Sequence, residues 1–137
     1  MNKQIFSLLV IILLGVAVVC VIKKLNGPET QKKVDYATTV EALNLTNSII
    51  KAAKNKQGRE FAGLSEKQKN YSGLYECFLL INNVAPAEKD IKWDVRKDSN
   101  SGVINVSCKL ANGRTLLIVL RRQTDQSLKF AFATTVV

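Results

Sequence analysis

A β-hairpin is predicted by the stretch INVSCKLANGRTLLIVLRR, residues 104–122. Apolar and polar residues alternate over 104–110, as expected for a strand with one buried face. Asn112-Gly113 is a strong signal for a two-residue hairpin turn, because both central positions of such a turn need a positive φ. The return strand is apolar at every position over 116–120, which predicts a central strand covered on both faces.

Two further strands extend this hairpin. Ile91, Trp93 and Val95 alternate with charged residues, which predicts a half-buried strand before it. Thr124–Ser127 is a turn signal, and the segment 128–137 follows as the last strand. Four consecutive strands with short connections predict an antiparallel meander.

Helical periodicity dominates the middle of the chain. A helix is predicted from about 29 to 56, and its apolar stripe holds Tyr36, Val40, Leu43 and Ile50. Gly58 is the predicted stop, and 58–70 is predicted to be a loop with at most one helical turn near Ser65. A short helix is predicted over 71–83, where Leu74, Phe78 (or Cys77) and Ile81 recur at helical spacing. The long helix needs an apolar surface to cover, so the predicted fold class is α+β, with this helix packed on the four-stranded antiparallel sheet.

An uncharged run of residues, 5–22, precedes the helix. As a helix this run spans roughly 27 Å, which matches the hydrocarbon core of a bilayer. The predicted organisation is an N-terminal membrane anchor over 1–24, an amphipathic helix over 25–57 and an α+β head over 58–137, with the helix and head forming one globular unit. A cleaved secretory signal is the alternative, although no Ala-x-Ala cleavage site ends the run.

Basic residues near the apolar run bear on the side of the membrane that the head occupies. Lys3 and the amino terminus stand before the run, and four lysines follow it: Lys23, Lys24, Lys32 and Lys33. By the positive-inside rule, this count favours a cytoplasmic head. The cysteines and the family resemblance given below favour the opposite side.

The composition excludes most catalytic chemistry. The 137 residues include no histidine, which removes the commonest general base and the commonest metal ligand. No Cys-x-x-Cys pair, phosphate-binding glycine loop or dinucleotide fingerprint occurs. Asp94 and Asp98 are a pair of nearby carboxylates. They lie in a predicted strand and turn that are rich in lysine and arginine, which favours a solvated surface over a catalytic pair. No catalytic, cofactor-binding or metal-ligating residue is predicted, and the chain is not expected to be an enzyme.

The net charge of +9 is spread along the chain. No block of five like charges occurs, so the chain has no basic arm of the kind that binds nucleic acid, and nucleic acid is not an expected partner. A basic surface that faces anionic lipid or an acidic protein is the simpler explanation of the charge.

Two of the three cysteines lie in the predicted head. Cys77 is on the short helix and Cys108 on the second strand, so each fits a buried apolar thiol. If the head is exported, a Cys77–Cys108 disulfide is the alternative. Closing a loop of that size would stabilise the fold by roughly 3–4 kcal/mol in the chain-entropy model.

Several short motifs follow the long predicted helix. They are Tyr71-Ser72-Gly73-Leu74, Leu79-Leu80-Ile81-Asn82, Ala85-Pro86, Lys89-Asp90 and Ser101-Gly102-Val103-Ile104-Asn105-Val106. Together with the apolar helix, its amphipathic extension and the meander, they resemble the type IV pilin family, in particular type IVb pilins and pseudopilins. The resemblance implies a non-catalytic component of a type IV pilus or a related secretion or conjugation machine. It also implies one helix in the bacterial inner membrane and a periplasmic head.

The start of the apolar run departs from the family pattern. No Gly precedes Ile5 or Phe6, and the run contains no Glu. The resemblance therefore implies an accessory component that stays in the membrane rather than a subunit of the filament shaft. The expected partners are the lipid bilayer and other pilin-like or assembly proteins, in a homo- or hetero-oligomer. Two alternatives stay open: a membrane-anchored adaptor domain that faces the cytoplasm, and a small secreted binding domain after signal cleavage.

Overall fold

A computed structural model describes residues 32–67, 71–86, 91–99 and 101–137. These residues belong to one compact unit that spans 31–137. The predicted membrane anchor over 1–24 lies outside the described residues. Within the described ranges, no helix is both long enough and apolar enough to span a bilayer.

The head is built on an antiparallel sheet whose strands are adjacent in chain order. The strands are β1 (Lys32–Lys33), β2 (Asp94–Lys97), β3 (Val103–Lys109), β4 (Thr115–Arg122) and β5 (Leu128–Val136). The predicted four-stranded meander is confirmed in β2 to β5. The helical periodicity is wrong at 32–33, because these residues pair instead with Lys97 and Arg96 of β2.

The register places the apolar side chains of three strands on one face of the sheet. Val106 pairs with Ile118, and Ile118 pairs with Ala133. We call this the covered face, and its buried residues are Ile104, Val106, Cys108, Leu116, Ile118, Leu120, Phe130 and Ala133. We call the other the open face, and it presents Asn105, Ser107, Thr115, Leu117, Val119, Phe132 and Thr134.

Five residues separate β3 from β4, and five separate β4 from β5. Backbone hydrogen bonds from Leu110 N to Arg114 O and from Gln123 N to Ser127 O, each 2.8 Å long, leave a three-residue loop in each connection. In the first loop, Gly113 N donates to Leu110 O at 3.0 Å, and Gly113 adopts a φ of 81°. In the second loop, Gln126 N donates to Gln123 O at 3.0 Å, and Gln126 adopts a φ of 68°. The predicted hairpin at Asn112-Gly113 is confirmed, but its turn type is wrong, because only Gly113 has a positive φ.

The helix α1 (Tyr36–Lys54) starts at a capping aspartate. Asp35 Oδ2 accepts a hydrogen bond from Thr38 N at 3.1 Å, which satisfies a donor that the first helical turn leaves unpaired. Lys51 and Lys54 lie in the last turn, where cations interact favourably with the helix dipole.

The face of α1 that packs on the sheet overlaps only part of the predicted stripe: Ile50 is buried and Leu43 packs against the core. Tyr36 is 85% exposed and Val40 is 38% exposed, so the first two members of that stripe point away from the core. The helix instead buries six mainly small residues: Ala42, Thr46, Ile49, Ile50, Ala52 and Ala53. Small side chains allow the helix to lie close to the sheet.

Lys56, rather than Gly58, forms the break after α1. Lys56 has a φ of 58°, Lys56 N donates to Ala53 O at 3.1 Å, and Gln57 N donates to Ala52 O at 2.8 Å. This is a Schellman motif, in which the left-handed position is usually a glycine. Gly58 begins a further helix, α2 (Gly58–Leu64), where the sequence predicts a loop.

The helix α3 (Tyr71–Val84) confirms the predicted helix over 71–83. Leu74 and Ile81 are buried against the rest of the head, and Phe78 packs at the margin of the same core. The core is one cluster that draws on α1, α2, α3 and the covered face.

β5 is an edge strand, and α2 and α3 occupy part of its outer edge. Glu66 N, just after α2, donates to Phe130 O at 2.8 Å. Ala133 N donates to Cys77 Sγ of α3 at 3.4 Å. The backbone groups of β5 at Phe130 and Ala133 are therefore bonded within the head instead of facing solvent.

Candidate interaction surface

The structure places the two cysteines of the head on different elements, and both are free thiols. Cys77 lies beyond the outer edge of β5, where its Sγ also contacts Ala133 O at 3.7 Å. Cys108 is buried on β3, on the far side of β4. Neighbouring strands lie about 4.8 Å apart, which puts roughly 10 Å between β3 and β5, beyond the reach of a disulfide. The possible Cys77–Cys108 disulfide is not formed in this structure.

Burial decides the chemistry of the Cys108 thiol. Loss of solvent raises the pKa of Cys108 above its ordinary value, so the thiol stays protonated at neutral pH. The thiolate is the nucleophilic form, and Cys108 therefore acts as a small apolar core residue.

The aspartates Asp94 and Asp98 do not form a carboxylate dyad. Asp94 Oδ2 accepts a hydrogen bond from Arg96 Nε at 2.7 Å, and both side chains are more than half exposed. Across the described part of the chain, no group of three or more His, Cys, Asp or Glu residues could hold a metal ion.

A polar hollow of about 690 Å³ separates α2 from the β4–β5 loop. Three of its charged side chains, Arg121, Glu66 and Lys129, are bonded within the head. Arg121 donates to both carboxylate oxygens of Glu66, at 3.0 and 3.2 Å, and Lys129 Nζ donates to Gly63 O at 2.9 Å. These contacts fasten α2 to the sheet.

A second ion pair fastens α1 to the sheet. Two nitrogens of Arg122 donate to the two carboxylate oxygens of Glu41, at 2.7 and 3.2 Å. This hydrogen bonding raises the pKa of the Arg122 guanidinium. Both side chains are partly exposed, so we expect the pair to contribute at most about 1 kcal/mol.

An apolar groove with a volume of about 520 Å³ lies between α2 and α3. Its floor is aromatic: the rings of Phe61 and Phe78 meet edge to face, with centroids 5.3 Å apart. Phe61 makes a similar contact with Phe130 of β5, which ties the floor to the core. Because Phe61 is only 1% exposed, the floor is fixed by core packing.

The outer wall of the groove is an exposed apolar stripe on α3. Tyr71, Tyr75 and Leu79 are 81%, 61% and 38% exposed. They recur every four residues, so they share one face of the helix. The ring of Tyr75 lies nearly parallel to that of Phe78, with centroids 6.3 Å apart.

We call Tyr71, Tyr75 and Leu79, with the groove that they border, the α3 stripe. The sequence contained a signal for it, because α3 has two apolar faces: Leu74, Phe78 and Ile81 face the core, and the stripe faces outward. Sequence reasoning assigned only the first face. Exposed tyrosines beside an apolar groove are typical of protein-binding surfaces.

Comparisons of the chain with protein-family models, with curated proteins and with solved structures found no match.

Proposed function

We propose that this protein is a non-catalytic, membrane-anchored, pilin-like component of a type IV pilus or a related secretion or conjugation machine. The observation that carries the proposal is the order of the elements in the described residues: after the two residues of β1 comes a long helix, and an antiparallel meander follows whose covered face that helix packs against. In this proposal residues 1–24 hold the protein in the inner membrane, and the head lies in the periplasm.

The surface of the head supports a role in assembly. The α3 stripe exposes two tyrosines and a leucine next to an apolar groove, and these residues are not needed to complete the core. Aromatic anchors of this kind contribute most of the binding energy at protein interfaces. In the proposed function, the stripe docks the head on a neighbouring subunit or assembly protein.

The side of the membrane on which the head lies is the sharpest test of this proposal. Val137 is fully exposed at the end of β5, so a reporter joined there leaves the head intact. Alkaline phosphatase, active only outside the cytoplasm, and a fluorescent protein that matures in the cytoplasm would each be fused to the full chain. We expect phosphatase activity without fluorescence.

A matched variant tests whether the lysines that follow the apolar run influence the side of the membrane on which the head lies. In Lys23→Gln/Lys24→Gln, the positive charge that opposes export of the head is reduced. We expect phosphatase activity to stay equal or to rise in this variant. Fluorescence from the unmodified chain would instead support the adaptor that faces the cytoplasm, and it would refute the pilin-like assignment.

The intact mass of the membrane-extracted protein tests the anchor itself. A mass equal to that of the full 137 residues, in a fraction that resists alkaline extraction, is expected for an anchor. A shorter soluble species would identify a cleaved signal and a secreted binding domain.

A further inference from the structure

The groove beside the α3 stripe has a cation at one end. Of the described residues that line the groove, Lys56 is the only charged one, and it stands where α1 ends and α2 begins. The rest of this lining is aromatic, aliphatic or small, apart from the amide of Asn82. Such a groove favours an occupant that is apolar along its length and acidic at this end.

A second hollow, of about 390 Å³, continues the groove past Tyr71. It shares three lining residues with the groove, Tyr71 among them, and it adds Glu66 and Lys67. Arg121 neutralises Glu66 through two hydrogen bonds, and Lys67 makes no ion pair among the described residues. The net charge that the described residues give to this second end is therefore positive as well.

The backbone of Lys56 points to a role for its side chain. Its φ of 58° is the left-handed conformation that a Schellman motif usually gives to glycine, and a lysine is less favourable there. Within the described part of the head, the exposed Lys56 side chain makes no ion pair that would offset this cost. A residue in an unfavourable conformation with a solvated charge is a candidate for contact with a partner.

The walls of the groove are two helices, which suits a helical occupant. An amphipathic helix binds such a groove by placing residues from every third or fourth position in it. α2 has seven residues, a length of roughly 10 Å as a helix, and Lys56 and Lys67 lie beyond its two ends. A bound helix of about three turns, roughly 16 Å long, would span this length.

We propose that the α3 stripe and its groove bind an acidic amphipathic helix of a partner protein. Its apolar side chains would lie on the aromatic floor, and its carboxylates would meet Lys56 and Lys67. The net charge of +9 favours this partner over a second copy of the chain, because two copies repel each other. The proposal deepens the proposed function and rests on the docking role given there to the stripe, but not on the membrane anchor.

A designed peptide serves as the test ligand. It is labelled with fluorescein and has about 14 residues, with leucine and phenylalanine on one helical face and glutamate on the other. Full-length protein in phosphatidylcholine nanodiscs would be titrated into the peptide while fluorescence anisotropy is recorded, with empty nanodiscs as the blank. We expect saturable binding that weakens at about 0.5 M salt, where exposed charges are screened over a few ångströms.

Two control peptides separate the groove from general attraction to a basic protein. The first scrambles the same residues so that no apolar face forms, and the second has lysine in place of glutamate. Both should bind at least about tenfold more weakly, because the first lacks the apolar anchors and the second has the wrong charge. Equal binding of either control peptide would overturn the proposal.

Tyr75→Ser tests the wall of the groove. We expect it to weaken binding of the glutamate peptide at least about tenfold, as the loss of an aromatic anchor does at protein interfaces. The matched control is Tyr36→Ser, which removes a tyrosine that is 85% exposed on α1, outside the groove. The control should bind like the unmodified chain, and an equal loss in both variants would contradict the proposed site.

Lys56→Gly/Lys67→Gln tests the two cations. We expect binding about fivefold weaker at low salt, because two exposed ion pairs are lost. Glycine fits the φ of 58° better, so the melting temperature should not fall. Weaker binding by an equally stable protein shows that the lysines act on the partner and not on the fold. The control, Lys109→Gln/Arg114→Gln, removes the same charge from β3 and the β3–β4 loop, and equal weakening there would refute the role of the two lysines.

Incorporation into nanodiscs tests the membrane anchor separately. A chain that stays in solution without lipid refutes the anchor, and the same titration in buffer then tests the groove. If a folded monomer binds no glutamate peptide, the proposal is overturned. It is also overturned if sedimentation shows a dimer that Tyr75→Ser dissociates, since the stripe would then pair with a second copy.

Discussion

The covered and open faces of the sheet are built from the same strands, but they carry different residues. On β3, Ile104 and Val106 of the covered face are fully buried, whereas Asn105 between them is half-buried on the open face. On β4 the contrast is weaker, because Leu117 and Val119 are apolar on the open face too. The covered face is therefore buried along both strands, whereas Val119, at 4% exposure, is the single buried residue among those named on the open face.

Adjacent residues of β4 measure this contrast most directly. We expect Ile118→Ala to lower the free energy of unfolding by about 3–4 kcal/mol, because Ile118 is fully buried and a cavity would remain. Leu117→Ala, on the half-buried open face, should cost about 1 kcal/mol. Urea denaturation of the two variants would measure both values. Equal costs would contradict the assignment of the faces.

The hairpin loops at the two ends of β4 fix its register with β3 and β5. A slip by one residue would exchange the covered face and the open face. Gly113 and Gln126 hold equivalent left-handed positions. We expect Gly113→Ala to destabilise by about 1 kcal/mol, although its added Cβ would meet no atom within 4 Å. Gln126→Gly should stabilise by about 0.5–1 kcal/mol. Thermal unfolding would measure both shifts.

A matched control for these substitutions lies in α2. Gly63 also has open space around an added Cβ, but it lies inside a helix and not at a positive φ. Gly63→Ala should therefore be neutral or stabilising. A loss of stability in Gly63→Ala as large as that in Gly113→Ala would refute the conformational explanation.

A further expected effect concerns a buried hydroxyl group on α1. Among the described residues, Thr46 Oγ1 is a buried side-chain atom without a hydrogen-bond partner. Thr46→Val keeps the shape and removes the unpaired hydroxyl, so we expect a gain of about 1 kcal/mol. Thr39→Val is the control, because the Thr39 hydroxyl donates to Asp35 O at 3.0 Å. A loss of stability in Thr46→Val would indicate that the hydroxyl has a partner.

The sequence predicted the parts of the fold that depend on local patterns. Alternation over 104–110, the turn at Asn112-Gly113 and the helix over 71–83 are present in the structure. β1 was not predictable, because its pairing partner lies more than sixty residues away and its two lysines carry no strand signal. The strand predicted from Ile91 begins later, at Asp94.

The errors in predicting the helices have a common physical cause. An apolar stripe predicts which side chains could be buried, but the extent of the sheet decides which of them are. Tyr36 and Val40 fit the stripe and remain exposed. α2 was missed because Phe61 is the single fully buried residue of this seven-residue helix, and one residue cannot show a period. The α3 stripe was missed because an outward apolar face is recognisable only once the inward face is known.

The bonds that α2 and α3 make to β5 have a consequence for solubility. The segment 130–137 is uncharged, rich in β-branched and aromatic residues and free of proline, a composition that forms amyloid-like stacks when its edge is open. Glu66 and Cys77 occupy the outward backbone groups at Phe130 and Ala133, so a second strand cannot add there. Detachment of α3 would turn the C-terminal strand into a template for fibrils. The helix that presents the tyrosines therefore also protects the protein from aggregation.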